Sequence, residues 1–375
     1  MPAIFKGDRI LLTVVIALML FSLPIVFTSI STLAYKSNSY LMPFVKHFGL
    51  LAVGLAAIVI VHRIPFKLYA RIAPVILGLA IILLILTLLF GQNLNSAVRS
   101  LPILGISFQT SDFAKIAMVI FTASLLARHE KDINNPTKVL FPILGMLFVV
   151  DILIMMADLS TALLLTTTIL LMLFIAGVKW YSLILVVVVS GLFFFGTTQV
   201  IEAVYPNSRV STWSSRIETF LGMGDTVDSE KNFQSNQSQI AIATGFPFGK
   251  GPGHSTQRNI LPHPYSDFAF AIIVEEWGVF GWVMVIILYF MLLARAVIIA
   301  RQSKHFLGSL MVMGLSLGII IQAIINMAVC TNLMPVTGQP LPFISMGGSS
   351  ILFTSVAIGI ILNVGAHSLV NPKTA

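Results

Sequence analysis

The stretch from Gly245 to Gly278 reads GFPFGKGPGHSTQRNILPHPYSDFAFAIIVEEWG. Its first nine residues contain four glycines, and the polar segment around them carries Lys250, His254, Arg258 and His263. Asp267 ends that segment, and an apolar run containing Glu275 and Glu276 begins directly after it. A polar loop therefore meets an apolar helix at a carboxylate, and we expect chemistry at this junction.

The composition of the whole chain indicates a polytopic membrane protein. Of its 375 residues, 57% are hydrophobic and 10% are charged, and the mean hydropathy is +0.97. Soluble domains carry about 25% charged residues, so water cannot solvate a chain this apolar. Apolar runs of about 20 residues cross a hydrocarbon core of roughly 30 Å as helices, because the backbone must satisfy its own hydrogen bonds there.

Ten apolar runs predict an all-α fold with about ten transmembrane helices, forming a single transmembrane domain over residues 1–375. The runs cover residues 10–32, 44–62, 72–90, 111–127, 139–157, 159–177, 180–200, 267–294, 306–330 and 345–366. The first run is too long for a signal peptide and lacks a small-residue cleavage site, so we interpret it as the first span.

One long loop, residues 201–266, separates the seventh and eighth predicted helices. Loops of this length are rare unless they are functional or disordered. Apolar residues recur at helical spacing over residues 209–221, which predicts a short amphipathic helix on the membrane surface. Residues 232–244 predict a second, more buried helix within the same loop.

The basic residues predict the topology. The formal net charge is +8, but 13 of the 22 Lys and Arg residues collect on one side when the N-terminus is placed inside. This bias predicts cytoplasmic termini and an extracytoplasmic loop over 201–266, and it argues against a nucleic-acid partner. The single cysteine, Cys330, excludes an internal disulfide, and no spacing of metal ligands predicts a metal site.

Asp267 has two interpretations. A carboxylate at the start of a helix accepts backbone N–H bonds and favours the helix dipole, so Ser266 or Asp267 could be a plain N-cap. A carboxylate at a membrane–water boundary could also act as a general base and take a proton from a sugar hydroxyl. The position alone does not separate the two.

The other acidic residues in apolar surroundings favour structural roles. Glu275 and Glu276 would form an ion pair with Arg99 or Lys115, because a charge at membrane depth needs a partner. Asp112 and Lys115 stand three residues apart on one helix, which indicates a pair that enters the membrane together. Asp158 separates two apolar runs and would cap the second of them.

Two irregular segments predict a cavity rather than a wall. The glycines from Gly245 to Gly253, with Lys250 among them, could cradle a phosphate or form an ordinary turn. Arg99, Lys250 and Arg258 would all face outside, where a basic pocket suits an anionic lipid headgroup. The segment MPVTGQPLPFISMGGSS, residues 334–350, has three prolines and three glycines, which exclude a regular helix.

These motifs resemble the SEDS family, which contains the FtsW and RodA cell-wall polymerases. The resemblance covers residues 335–350, the block FQTSDFAK at residues 108–115, the glycine stretch at residues 239–255, and the block from Asp267 to Gly278. Thr110 and Asp112 stand where the family usually has Pro and Glu, and residues 156–161 keep only part of a common Gln-Pro-Asp block. The sequences of residues 209–216 and 232–239 favour the division member, FtsW, over RodA.

The resemblance implies a peptidoglycan glycosyltransferase that polymerises lipid II and releases undecaprenyl pyrophosphate at the bacterial cytoplasmic membrane, at the division septum. It places Asp267 on the family's essential aspartate. Substrate contacts would come from eight residues: Arg99, Lys115, Lys250, Arg258, Ser345, Gly347, Gly348 and Ser349. Supporting roles would fall to Asp112, Asp158, Glu275 and Glu276. A class B penicillin-binding protein and other divisome membrane proteins would be partners, and Mg²⁺ or Mn²⁺ could offset leaving-group charge.

Two other functions fit the same sequence. Ten helices with intramembrane carboxylates and a broken last helix also suit a flippase for lipid-linked precursors. A membrane scaffold for a transpeptidase would tolerate changes at Asp267. An assay of lipid II polymerisation distinguishes the polymerase, the flippase and the scaffold.

Overall fold

The computed structural model describes residues 7–29, 41–94, 97–103, 106–204, 229–262 and 264–369. It is built of twelve α-helices and three short strands in the order α1 Arg9–Ser29, α2 Leu41–Arg63, α3 Phe66–Arg71, α4 Ala73–Phe90, β1 Gln92–Leu94, β2 Ala97–Ile103, β3 Ile106–Gln109, α5 Thr110–Arg128, α6 Phe141–Met155, α7 Leu159–Ile175, α8 Trp180–Val204, α9 Ser229–Gly245, α10 Ala269–Gln302, α11 Phe306–Cys330 and α12 Gly348–Leu369. A π-helical turn, Pro136–Leu140, leads into α6.

The prediction of an all-α polytopic membrane protein is confirmed. Over the described ranges, nine helices are long and apolar enough to cross a membrane, and α7 is a shorter apolar helix. Helix α11 lies centrally, since it packs against α5, α7, α10 and α12. Helix α8 is peripheral, with most of its surface exposed as a lipid-facing helix requires.

A small antiparallel sheet replaces the loop that the sequence predicts between residues 91 and 110. Strand β2 pairs with β1 and β3, with Leu101 opposite Phe108 and Ser100 opposite Gln109. The strands have three to seven residues and mix polar with apolar side chains, so hydropathy does not distinguish them from a loop. Strand β3 packs against α12, which places the sheet at the same end of the bundle as residues 347–350.

Helix boundaries differ from the prediction mainly where charges occur. Helix α10 continues to Gln302 instead of ending near residue 294. Its last turns carry Arg295 and Arg301, which end the apolar run without ending the helix. Helix α9 confirms the helix predicted over 232–244, but most of its described side chains are exposed or half-buried, so the predicted burial is wrong. The amphipathic helix predicted over 209–221 lies outside the described residues.

Helix α10 is broken at Gly278, and the glycine loop fills the break. Gly278 has φ +59°, and the main-chain N–H groups of Lys250 and Gly251 donate to the carbonyls of Glu275 and Glu276 over 2.9 Å each. Val279 donates in turn to the Pro247 carbonyl over 2.9 Å. Irregular backbone at membrane depth is stable only when its polar groups find partners. Here the loop and the helix satisfy the hydrogen-bonding groups of each other's main chain.

Gly278→Ala is expected to lower the free energy of unfolding by about 2 kcal/mol. Its Cβ would lie 2.7 Å from the Phe248 carbonyl carbon, and the positive φ is unfavourable for alanine. Thermal unfolding of the purified protein in detergent measures the effect. The matched control is Gly191→Ala on α8, where nothing lies within 4 Å of the new Cβ. Equal melting temperatures for the two variants would contradict the packing described for the break.

Candidate functional site

Asp267 lies in the turn that leads into α10, two residues before the helix begins. Phe268 occupies the N-cap position and makes no side-chain capping bond, so the structure does not place Ser266 or Asp267 at that position. The Ser266 hydroxyl donates to Asp267 Oδ1 over 2.9 Å. Burial and the nearby Asp267 charge raise the pKa of Tyr265. The carboxylate is half-buried at the end of an apolar helix.

Two segments hold the main chain around Asp267. Ser345 donates through Oγ to the Ser266 carbonyl over 2.6 Å, and the Met346 N–H donates to the Tyr265 carbonyl over 2.8 Å. From α11, Asn326 Nδ2 donates to the Asp267 carbonyl over 2.9 Å and to the Gln339 carbonyl over 2.8 Å. The segment over 334–350, predicted to build a cavity, thus fixes the turn that presents Asp267.

Asn326→Leu is expected to lower the free energy of unfolding by about 1–3 kcal/mol. The substitution keeps the side-chain size but removes the amide donor of the Gln339 carbonyl and leaves the Asp267 carbonyl with the weak Cys330 thiol donor at 3.8 Å. Asn326 is only 1% exposed. Thermal unfolding in detergent measures the loss. Ile324→Val, on the exposed side of the same helix, is the control and should change little. A melting temperature for Asn326→Leu equal to that of the control would show that the hydrogen bonds of the Asn326 side chain contribute nothing to stability.

Glu275 is the centre of a dense hydrogen-bond cluster. The side chain is fully buried and forms an ion pair with Lys250 Nζ over 2.6 Å. It also accepts from the Ser255 hydroxyl, from Thr256 N over 3.1 Å and Oγ1 over 2.9 Å, and from the Gln257 N–H. The ion pair predicted for Glu275 exists, but its partner is Lys250 instead of Arg99 or Lys115.

Glu276 joins the same loop to α1. Its Oε2 accepts from the Thr28 hydroxyl over 3.1 Å, and Arg258 Nη1 donates to the Thr28 carbonyl over 3.2 Å. Of the two predicted partners, Lys115 pairs with Asp112 instead, and the side chain of Arg99 lies outside the described part of the chain. The two adjacent glutamates therefore fix the loop to α10 and to the end of α1.

Asp112 and Lys115 form the predicted pair on α5, with Nζ 2.8 Å from Asp112 Oδ1. Lys115 also donates to Gln322 Oε1 on α11 over 3.0 Å. These side chains line one part of a mostly apolar cavity between α5, α7, α11 and α12, with about 490 Å³ of space that includes openings to the surroundings. Gln322 lies one helical turn from Asn326, so the cavity lies close to the turn that carries Asp267.

The other predicted site residues lie around this core. Asp158 caps α7, as predicted, by accepting from Ser160 N over 3.2 Å and from the Thr161 hydroxyl over 2.8 Å. The Ser349 hydroxyl accepts from Gln109 N over 2.8 Å and so holds β3. Half-buried Gly347 and Gly348 precede it at the start of α12. Arg99 lies on β2, and its side chain is outside the part of the chain that the structure describes.

Sequence reasoning missed the residues that act through amide side chains. Gln322 and Asn326 stand four residues apart on α11, and Gln339 donates to Asp158 Oδ2 over 3.1 Å. A signal was present, because amides inside an apolar run need polar partners within the protein. Their partners lie far away in the sequence, which is why the pattern alone does not identify them.

The fold and this site define a polytopic helical membrane protein with a polar, carboxylate-bearing junction at one end of the bundle. The chain belongs to the FtsW/RodA/SpoVE family, described as cell cycle protein, whose model matches residues 8–369. This confirms the resemblance to the SEDS family.

Among its relatives, the probable peptidoglycan glycosyltransferase FtsW of Trichlorobacter lovleyi is 30% identical over 374 residues, 98% of this chain and 95% of the relative. Stage V sporulation protein E of Bacillus subtilis is 30% identical over 366 residues, 96% of this chain and 97% of the relative. Two solved structures share the fold. One is a chain from a peptidoglycan synthase complex, with a TM-score of 0.71, 24% identity and coverage of 97% of this chain and 99% of that chain. The other is the rod shape determining protein RodA of Thermus thermophilus, with a TM-score of 0.67, 21% identity and coverage of 97% and 98%.

Proposed function

We propose that this protein is a peptidoglycan glycosyltransferase that polymerises lipid II into glycan strands for septal cell-wall synthesis. Family membership and relatives named FtsW support the reaction class. The observation that carries the proposal is the placement of Asp267 at the helix junction, where bonds from Ser345, Met346 and Asn326 fix the surrounding main chain.

In the proposed reaction Asp267 is the general base. Its carboxylate takes the proton of the 4-hydroxyl of the acceptor GlcNAc as that oxygen attacks the anomeric carbon of the donor MurNAc. The bond to undecaprenyl pyrophosphate breaks on the opposite face, and the leaving group departs with its electron pair. A single displacement inverts the anomeric carbon, so a second, nucleophilic carboxylate is not needed. Positioned general bases typically contribute 10²–10⁴-fold in rate.

The leaving pyrophosphate needs cationic partners, and we propose Arg258 and Arg99 for this role. Arg258 is half-buried beside the turn formed by residues 255–258, next to the loop that leads to Asp267. Lys250 forms an ion pair with Glu275, which offsets the charge of the lysine. We therefore propose that Lys250 stabilises the loop and does not bind the pyrophosphate. We propose that Lys115, which lines the apolar cavity, contacts the lipid-linked substrate there.

The glycine-rich segments shape the substrate cavity in this proposal. Gly347 and Gly348 would leave room for sugar beside Asp267, while the Ser345 and Ser349 hydroxyls hold neighbouring backbone. No group of three His, Cys, Asp or Glu side chains suited to a metal ion occurs among the described residues. A Mg²⁺ or Mn²⁺ ion bound to the substrate pyrophosphate would offset the charge of the leaving group.

The proposed setting follows from the same reaction. Lipid II and undecaprenyl pyrophosphate are the substrate and product, and a class B penicillin-binding protein is the proposed partner, because the strands must be cross-linked. Other divisome membrane proteins would assemble around this pair. The basic residues support cytoplasmic termini and a reaction on the outer face of the cytoplasmic membrane.

The test is conversion of lipid II by the purified chain together with a class B penicillin-binding protein. We expect glycan strands resolved as a ladder on a gel, and release of undecaprenyl pyrophosphate in equal measure. A preparation that binds lipid II and forms no polymer under these conditions would contradict the proposal.

A further inference from the structure

Three exposed apolar residues project from the glycine loop where it meets the break in α10. Phe246, Pro247 and Phe248 form an elbow between α9 and Gly249, with Phe246 67% exposed and Phe248 93% exposed. An aromatic side chain left in water forfeits the free energy that burial would provide, so two on one short elbow indicate an apolar contact. The depth of the elbow relative to the helices identifies what it contacts.

Two polar contacts join α10 to the two ends of α1, and the number of residues between them gives a distance along the bundle. At one end, Arg295 forms an ion pair with Asp8, and at the other the Thr28 hydroxyl donates to Glu276. Asp8 and Thr28 lie 20 positions apart, and Glu276 and Arg295 lie 19 apart. At 1.5 Å per residue both spacings are about 30 Å, the thickness of a bilayer hydrocarbon core. The two contacts therefore mark its two boundaries.

The elbow lies on the hydrocarbon side of the nearer boundary. Its Pro247 carbonyl accepts from the Val279 N–H over 2.9 Å, and Val279 is three residues further into α10 than Glu276. Three residues correspond to about 4–5 Å, close to one helical turn. At the same depth Phe280 is 65% exposed on α10, so the elbow extends an apolar surface that the helix already presents.

We propose that Phe246–Pro247–Phe248 is a membrane anchor that inserts into the lipid leaflet at the Asp267 end of the bundle. The glycine loop directly after the anchor is hydrogen-bonded to the segment that carries Glu275 and Glu276, since Lys250 and Gly251 donate to their carbonyls. Lipid contact thereby sets the height of the glycine loop relative to the headgroups. Apolar side chains of this kind bury about 5–10 Å into the headgroup and acyl boundary in interfacial segments.

The test is nitroxide accessibility in nanodiscs of phosphatidylcholine and phosphatidylglycerol without any partner protein. Cys330 is the one cysteine in the sequence and is fully buried, so Cys330→Ala gives a background for single labels. The label goes on Phe248→Cys, and in a second variant on Phe246→Cys. Asn236→Cys, on exposed α9, is the aqueous reference, and Phe290→Cys, 69% exposed on α10, is the lipid reference.

We expect the labels at 246 and 248 to collide readily with oxygen and poorly with a water-soluble nickel chelate, close to the values at 290. Nickel accessibility equal to that at 236 would place the elbow in water and overturn the proposal. Low accessibility to both reagents would mean that protein covers the elbow, which would also overturn it. Two label sites keep the test decisive if one variant does not fold.

Discussion

Asp267→Asn is expected to lower the rate of lipid II polymerisation by about 10²–10⁴-fold. Asparagine keeps the shape of the side chain and can still accept the Ser266 hydroxyl bond, but it cannot take a proton. The main-chain bonds from Asn326 and Ser345 do not depend on the carboxylate, so the variant should fold and melt like the wild type. Polymer formed per minute at saturating lipid II measures the effect.

Asp132→Asn is the matched control for this change. Asp132 is half-exposed and forms an ion pair with Lys138 over 2.8 Å, in the segment between α5 and α6. The same loss of one carboxylate there should leave polymerisation unchanged. If Asp267→Asn kept the activity of Asp132→Asn, the general-base role would be wrong and the scaffold interpretation would gain support.

Glu275→Gln is expected to cost about 3–5 kcal/mol of stability, because it leaves Lys250 without its buried partner. The Lys250 side chain is 27% exposed and the Glu275 side chain is fully buried, so water replaces only part of the lost interaction. The amide of glutamine would also face the Ser255 and Thr256 donors with a donor of its own. A lowered melting temperature and reduced polymerisation are both expected, since the loop beside Arg258 loses the carboxylate that holds it to α10.

A double-mutant cycle with Lys250→Met separates the ion pair from the rest of the cluster. Removing both charges should cost less than the two single changes added together, because neither group is then left uncompensated. Strict additivity would show that Glu275 and Lys250 do not stabilise each other, and that the loop depends on other contacts.

Sequence patterns predicted the features that depend on local order along the chain. Ten apolar runs gave ten helices, because a span of about 20 apolar residues allows few other structures in a bilayer. The Asp158 cap and the Asp112–Lys115 pair were predicted because both involve neighbours within one helical turn.

The features that the sequence did not predict depend on contacts between distant segments. Glu275 finds Lys250 because the loop folds back into the break at Gly278, and no periodicity encodes that return. Asn326 meets Asp267 across 59 positions of the chain. The strands over 92–109 pair through their backbones, which hydropathy does not register.

The central claim is that this chain polymerises lipid II with Asp267 as the base. The most direct measurement reconstitutes the wild type and Asp267→Asn in vesicles with a class B penicillin-binding protein, and follows glycan formation and lipid II translocation in the same sample. The account predicts glycan strands from the wild type and almost none from Asp267→Asn. Lipid II that crosses the membrane without forming glycan, or full polymer from Asp267→Asn, would contradict it.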